Sequence, residues 1–241
     1  MSARLCLAPH VRACAHDGQV ILLDLRRSRY LGVPGTRFAA LAAVVAGWPH
    51  PDGTTQGAAL QRPADIDALA APLLRQGLLS CDPAAPRAHA NAPLPEAARS
   101  LNAEDLVDSV QMDTVRVVRF VRCSASAALS LRLLSLQRIA DRITARRGQQ
   151  LAKTTGSASH SLRVAVAAYL RLRPLMLTAH DRCLHDSLSL LGFLGAEGWR
   201  PNWVIGVTTQ PFRAHAWVQA GDLVLSDLHE NVRRYTPILV A

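Results

Sequence analysis

Lysine is all but missing from this 241-residue chain: Lys153 stands alone among 27 basic residues, and the rest are arginine. That skew, together with the abundance of alanine, reads as composition bias of the genome, so the net charge of +9 is weak evidence for nucleic-acid binding. Cysteines are few, odd in number and scattered (Cys6, Cys14, Cys81, Cys123, Cys183), with no CxxC or His-rich spacing. This excludes a disulfide framework and gives no zinc site, and four of the five read as buried small hydrophobes. The opening residues lack the apolar stretch of a secretory signal, and no apolar run approaches the roughly 20 residues that a membrane span needs. The expectation is a cytosolic protein with no stable membrane insertion. No internal repeat is visible.

Residues 1–81 read as a small mixed unit. Val11–His16 and Gln19–Leu25 flank Asp17-Gly18, the strongest short hairpin signal in the chain, and Arg29–Val33 can add a third strand. Two helices are expected next. Pro34–Ala46 has Phe38, Leu41 and Val45 at helical spacing, and Asp65–Gln76 places Ile66, Leu69, Leu73 and Leu74 on one face before Gly77, with Pro72 inside it. Three strands and two helices suggest a winged-helix-like domain. Residues 82–100 hold four prolines and little periodic apolar content, which marks a linker. From Leu101 the pattern turns helical, with Leu129, Leu133, Leu136, Ile139 and Ile143 as one apolar stripe and Leu162–Leu172 as another. The fold class expected is α+β, a winged-helix-like unit over 1–81 joined by the linker to a second domain over 101–241.

Charge is concentrated rather than spread. Residues 129–173 carry nine basic residues against the single acidic Asp141, and Arg138, Arg142 and Arg146 fall on one stripe of a helix. A solvated face is the plainer reading of that stripe, and a docking face for an acidic partner or a nucleotide the sharper one.

The chemistry gathers in the last third. Asp181 is placed to cap a helix with Cys183 in its first turn, where the positive end of the helix dipole favours thiolate. Leu184, Leu188, Leu191 and Leu194 supply that helix's buried stripe. His215 shares one strand face with Arg213, Trp217 and Gln219, a polar face with a tryptophan that suits the wall of a substrate cleft. Asp227 ends the following strand. A thiol, an imidazole and a carboxylate are the parts of a cysteine-nucleophile acyl-transfer site, in which the acid orients the imidazole and the imidazole takes the thiol proton. His185, Asp186 and His229 lie nearby as decoys. A two-residue turn at Gly221-Asp222 would pair His215 with Leu228 and turn Asp227 to the other face. A three-residue loop, Ala220-Gly221-Asp222 with Asp222 left-handed, pairs His215 with Asp227, and is therefore the register expected.

Cys183-Leu-His-Asp-Ser-Leu, then Phe212-Arg-Ala-His215-Ala-Trp217-Val, then Asp227 resembles the lasso peptide B proteins, whose C-terminal half is a papain-type, transglutaminase-like leader peptidase. The first domain is similar to the precursor-recognition element of such pathways, kin to the small chaperone of pyrroloquinoline quinone synthesis, through Ile66-Asp-Ala-Leu69…Leu73-Leu74-Arg-Gln-Gly77. The resemblance implies that Cys183, His215 and Asp227 cut the leader from a ribosomally made precursor. It also implies that the leader adds as a strand along Arg29, Tyr30 and Leu31, packs on Ile66, Leu69 and Leu73, and meets Trp217 in the cleft. An asparagine-synthetase-like cyclase is the implied partner. No bound cofactor is implied, and the resemblance leaves room for a dependence on ATP. Amide transfer by the same triad and a non-enzymatic winged-helix regulator are the rival functions. Against the second, Asp65–Gln76 carries acidic Asp65 and Asp67 and would read a nucleic-acid groove poorly.

Overall fold

A computed structural model describes residues 5–34, 40–49, 63–81, 93–101, 112–148, 158–175 and 183–241. The expected first hairpin is present. β2 (Val11–His16) and β3 (Gln19–Asp24) pair through Asp17 and Gly18, whose φ values of 45° and 67° are the signature of a two-residue type I′ turn. β4 (Arg29–Pro34) pairs antiparallel with β3 and forms one edge of the three-stranded sheet.

The expectation of one helix over Pro34–Ala46 is corrected. Pro34 closes β4, and helix is described only over α1 (Leu41–Val44), after which Val45–Ala46 forms β5. β5 pairs parallel with β1 (Leu5–Leu7), which also pairs with β6 (Leu79–Ser80), a second small sheet that no clear alternation announced. The remainder of the expected 34–46 helix lies outside the described residues. α2 (Pro63–Arg75) forms as expected and runs through Pro72. Proline forfeits one backbone donor there, yet Gln76 still donates to the Pro72 carbonyl at 3.1 Å.

The β2-β3-β4 sheet is covered on both faces, and its two-residue period decides what each face meets. Val20, Leu22 and Val33 face a core shared with Leu41, Trp48 and Leu73. Cys14, Ile21 and Leu23, with Tyr30 partly buried beside them, face a core shared with Leu136, Ile139, Trp203, Ile205 and Leu239. Packing therefore crosses the linker expected near residue 81. Polar contacts reinforce the junction: the backbone N–H of Gln137 donates to the Leu25 carbonyl at 3.0 Å, and His16 Nδ1 lies 2.8 Å from Thr236 Oγ1. Full burial of Ile21, Leu23 and Leu25 is worth about 1.5–3 kcal/mol each.

The second half is helices around an open sheet. α3 (Thr114–Leu133) is capped by Asp113, whose side chain accepts from the Arg116 N–H, and is followed by α4 (Leu136–Gly148), α5 (Ala158–Leu172), a 3₁₀ turn at Arg173–Leu175 and α6 (Cys183–Ala196). The five-stranded sheet runs β11-β8-β9-β10-β7, where β7 is Arg99–Ser100, β8 Asn202–Thr209, β9 Phe212–Ala220, β10 Leu223–Val224 and β11 Thr236–Val240, with a short α7 (His229–Val232) before β11. The end of the expected linker is thus a strand. Arg99 pairs with Leu223 in the sheet, and its guanidinium holds Asp222 in a two-pronged ion pair.

The single stripe expected from Leu129 to Ile143 is broken, because the helix stops after Leu133 and restarts at Leu136. Leu129 and Leu133 are exposed, while Leu136 and Ile139 turn into the core under the N-terminal sheet. Of the four cysteines read as buried, Cys14 is; Cys6 and Cys123 are half-buried and Cys81 is exposed. Among the described residues, no helix is long and apolar enough to cross a membrane and no cluster of side chains could hold a metal ion.

Candidate active site

Cys183 is the first residue of α6, and the buried Leu190, Phe193 and Leu194 fix that helix in the core. Trp203 Nε1 donates to Ser187 Oγ at 2.9 Å and tethers α6 to β8. The cap expected at Asp181 lies outside the described residues. β9 delivers His215 opposite the start of the helix. Nε2 of His215 donates to Oδ2 of Asp227 at 2.7 Å, which leaves Nδ1 for the thiol, and His215 and Cys183 are hydrogen-bonded. Backbone N–H groups of Ala216 and Leu184 also bond to the sulfur.

The electrostatics follow from these contacts. Burial alone would push the Cys183 thiol up, but the bond to His215 and those two N–H groups outweigh it and hold the thiol below its ordinary value. Burial likewise pulls His215 down; its bonds to Asp227 and Cys183 reverse this and raise it to about 9. Asp227 is half-buried yet held low, because Oδ2 accepts from His215 while Oδ1 accepts from the Leu228 N–H at 2.7 Å and Asn231 Nδ2 at 3.2 Å. These shifts favour a thiolate beside an imidazolium, oriented by an ionised acid.

The expected hairpin register is corrected, although the contact it was meant to explain is present. Leu223 pairs with Ala220 and Val224 with Gln219, so the turn has two residues. Gly221 has φ 62° and Asp222 is not left-handed, a type II′ pattern. Continued regularly, that register would put Asp227 on the face away from His215. The ladder is left instead after the bond from the Leu225 N–H to the Val218 carbonyl. The Val218 N–H, which a continuing strand would have met with a carbonyl, donates to Ser226 Oγ at 3.0 Å. The side chain of Ser226 replaces a backbone partner, the chain bends, and Asp227 swings back to the imidazole.

Trp217 was expected to touch substrate. It is 2% exposed, donates from Nε1 to Gln219 Oε1 at 2.9 Å, and its ring stacks 6.1 Å from that of His215. It supports the imidazole from behind, and the polar face of β9 is a cleft wall only at its His215 end. Leu73 is also buried and belongs to the N-terminal core, whereas Ile66 and Leu69 are only partly covered. Arg29 is exposed on β4 and Leu31 half-buried. The decoys are engaged elsewhere: His185 Nε2 lies 3.0 Å from the Ser124 carbonyl, Asp186 accepts from the Tyr169 hydroxyl and pairs with Arg173, and His229 pairs with Glu230.

Tyr30 holds a place that the sequence reading assigned only to leader binding. Its ring lies 5.4 Å from that of Phe212, and it packs on the same core as Cys183 and Leu184. Burial pushes the phenol up to about 12, with the negative charge of Cys183 adding to it. The edge strand of the N-terminal sheet therefore stands beside the Cys183 thiol. Three other contributors went unread. Asn231 and the Leu228 N–H hold the free oxygen of Asp227. Gly206 pairs with His215 across the ladder, and a Cβ there would come within 2.8 Å of both Trp217 and Tyr235, the rings that flank the imidazole. A glycine inside an otherwise apolar strand was the available signal for that close approach.

No curated protein and no solved structure matches the chain. Residues 124–240 match the transglutaminase-like superfamily, whose members include cysteine peptidases and amide transferases. This span contributes Cys183, His215 and Asp227 together, so the C-terminal part of the chain is similar to a transglutaminase-like domain.

Proposed function

We propose that this chain is a cysteine peptidase that removes the leader from a ribosomally made lasso peptide precursor. The observation that carries the reading is Tyr30: one residue belongs both to the edge strand β4 and to the surroundings of the Cys183 thiol. The leader would add as a strand outside β4 along Arg29, Tyr30 and Leu31, with apolar side chains reaching the partly covered Ile66 and Leu69, so that recognition and cleavage share one surface.

In the reaction, the Cys183 sulfur attacks the carbonyl carbon at the leader–core junction and the C=O electron pair moves onto oxygen. As the tetrahedral intermediate collapses, His215 Nδ1 gives its proton to the departing amine of the core and the carbon keeps sulfur as a thioester. Water, deprotonated by His215, then releases the leader acid and restores the thiolate beside the protonated imidazole. The freed amine is the nucleophile that an asparagine-synthetase-like cyclase would join to an Asp or Glu side chain, and any ATP requirement would belong to that joint system.

Amide transfer is the rival that uses the same thioester. Mass analysis of a leader–core peptide incubated with the enzyme in the presence of a primary amine separates the two. The peptidase reading expects the leader as a free acid and the core with a free N-terminus. A leader amide as the main product, or an intact substrate with wild-type enzyme and cyclase both present, would overturn it.

A further inference from the structure

Outside the catalytic cleft, a groove of about 900 Å³ lies between α3, α4 and α6. Its floor is apolar, with Leu188 and Leu191 of α6 and Cys123 of α3. Gly192 permits the close crossing beneath it, since a Cβ there would lie 3.4 Å from Cys123. The walls are basic: Arg122 stands on α3, and Arg142, Arg146 and Arg147 stand on α4. Among the described residues none of these four guanidiniums has a carboxylate partner, although Arg119 in the same groove is paired with Glu197. Burial lowers Arg147, a desolvated cation with no compensating acid among the described residues. Four like charges around one cavity, without a carboxylate partner among the described residues, repel one another and are relieved by an anion.

The shape decides which kind of anion. A compact polyanion needs its cations to converge on one point, whereas these stand on opposing walls with hydrocarbon between them. The groove follows α3 from Thr114 to Leu134, roughly 30 Å at the helical rise. At its open end, Val115 and Val118 extend the apolar floor, 63% and 50% exposed. An apolar floor between two basic walls complements a helix with one apolar stripe flanked by carboxylates, each able to take a bidentate guanidinium.

We propose that this groove docks an acidic amphipathic helix of a protein partner, with its leucine stripe on Leu188, Leu191 and Val118 and its carboxylates on Arg122, Arg142, Arg146 and Arg147. The site is independent of the peptidase reading and stands whichever acyl transfer the triad performs. The test is fluorescence anisotropy on the full-length protein. The probe is a fluorescein-labelled peptide of about four helical turns, with leucines on one face and glutamates on both flanks. A permuted peptide of identical composition, with its leucines scattered, serves as control.

The expected result is binding that weakens with added salt, is about tenfold weaker for the permuted peptide, and is about tenfold weaker again for Arg142→Gln/Arg146→Gln/Arg147→Gln. Removing repelling charges leaves that variant folded, which its thermal melt will show; Arg122→Gln alone should give a smaller loss in the same direction. Equal binding of the two peptides, no effect of the arginine replacements, or no binding at low salt would each overturn the proposal. So would full displacement of the probe by equimolar ATP or inorganic tripolyphosphate, which would make the groove a small-anion site.

Discussion

Two of this protein's tight hairpins are built on the same pair of residues in opposite order. Asp17-Gly18 joins β2 to β3 and Gly221-Asp222 joins β9 to β10. In the first, both residues are left-handed and the ladder runs unbroken from His16–Gln19 to Val11–Asp24. In the second, only Gly221 is left-handed and the regular pairing ends after Val224. The first hairpin uses its regularity to present two apolar faces, one to each core. The second gives up its regularity at Ser226 and thereby gains the carboxylate that orients the histidine. Turn chemistry sets where a ladder starts; a single hydroxyl decides where it ends, and the triad depends on that ending.

The comparison breaks most completely at the nucleophile that the second hairpin serves. Cys183→Ala should reduce cleavage of a leader–core substrate by roughly ten-thousandfold or more while leaving the thermal melt near that of wild type. Residual cleavage within about tenfold would remove Cys183 from the role. Ser226→Ala sharpens the contrast without touching a reacting group. With the Val218 N–H unsatisfied, the ladder gains a reason to continue and Asp227 to rotate away, so kcat should fall about a hundredfold with KM nearly unchanged. Unaltered kcat would show that Asp227 is held by Leu228 and Asn231 alone.

Gly206→Ala tests the support behind His215. Its new Cβ meets Trp217 and Tyr235, and the overpacking should cost about 1–3 kcal/mol in denaturant unfolding together with a loss of activity. The smallest effect belongs to the regular hairpin. Gly18→Ala places a side chain at φ 67° in open space, so about 1 kcal/mol of stability should go with no change in kcat.

Much of the site was legible in the sequence because its chemistry rests on residue types: a thiol opening an apolar helix, then a histidine and an aspartate on successive strands. The route by which they meet was not. Alternation from His215 to Asp227 favoured a three-residue loop, and nothing in Leu225-Ser226-Asp227 announced that the serine would substitute for a backbone acceptor. Trp217 failed as a substrate contact for a related reason, since period-two reasoning assigns a side to a residue but not the depth of cover on that side. The helical stripe across Leu133 and Leu136 was interrupted by a two-residue break that leaves the spacing nearly intact. Arg99–Ser100 escaped because a two-residue strand inside a proline-rich stretch has no periodicity to detect. The three strands of the first sheet were read correctly, but their second buried face was not, because a strand covered on both sides shows only that it is apolar and not what covers it.

Protonation bounds the working range. His215 is raised to about 9, so its contribution to stability is complete below its ordinary value of 6.5 and is lost as pH rises through about 9. The lowered Cys183 thiol contributes above its ordinary value of 9.0 and loses that contribution as pH falls through its lowered value. Thiolate and imidazolium therefore coexist between these two limits, and the cleavage rate should decline on the alkaline side near pH 9 and again in acid.

The most direct measurement is the rate of iodoacetamide alkylation at each cysteine, resolved by peptide mass mapping at mildly acidic pH. If Cys183 rests as a thiolate paired with His215, it reacts ahead of the exposed Cys81, with the buried Cys14 last, and His215→Ala removes its lead. Reaction of Cys81 ahead of Cys183, or a Cys183 rate indifferent to the loss of His215, would contradict the activated thiolate on which the proposed catalysis rests.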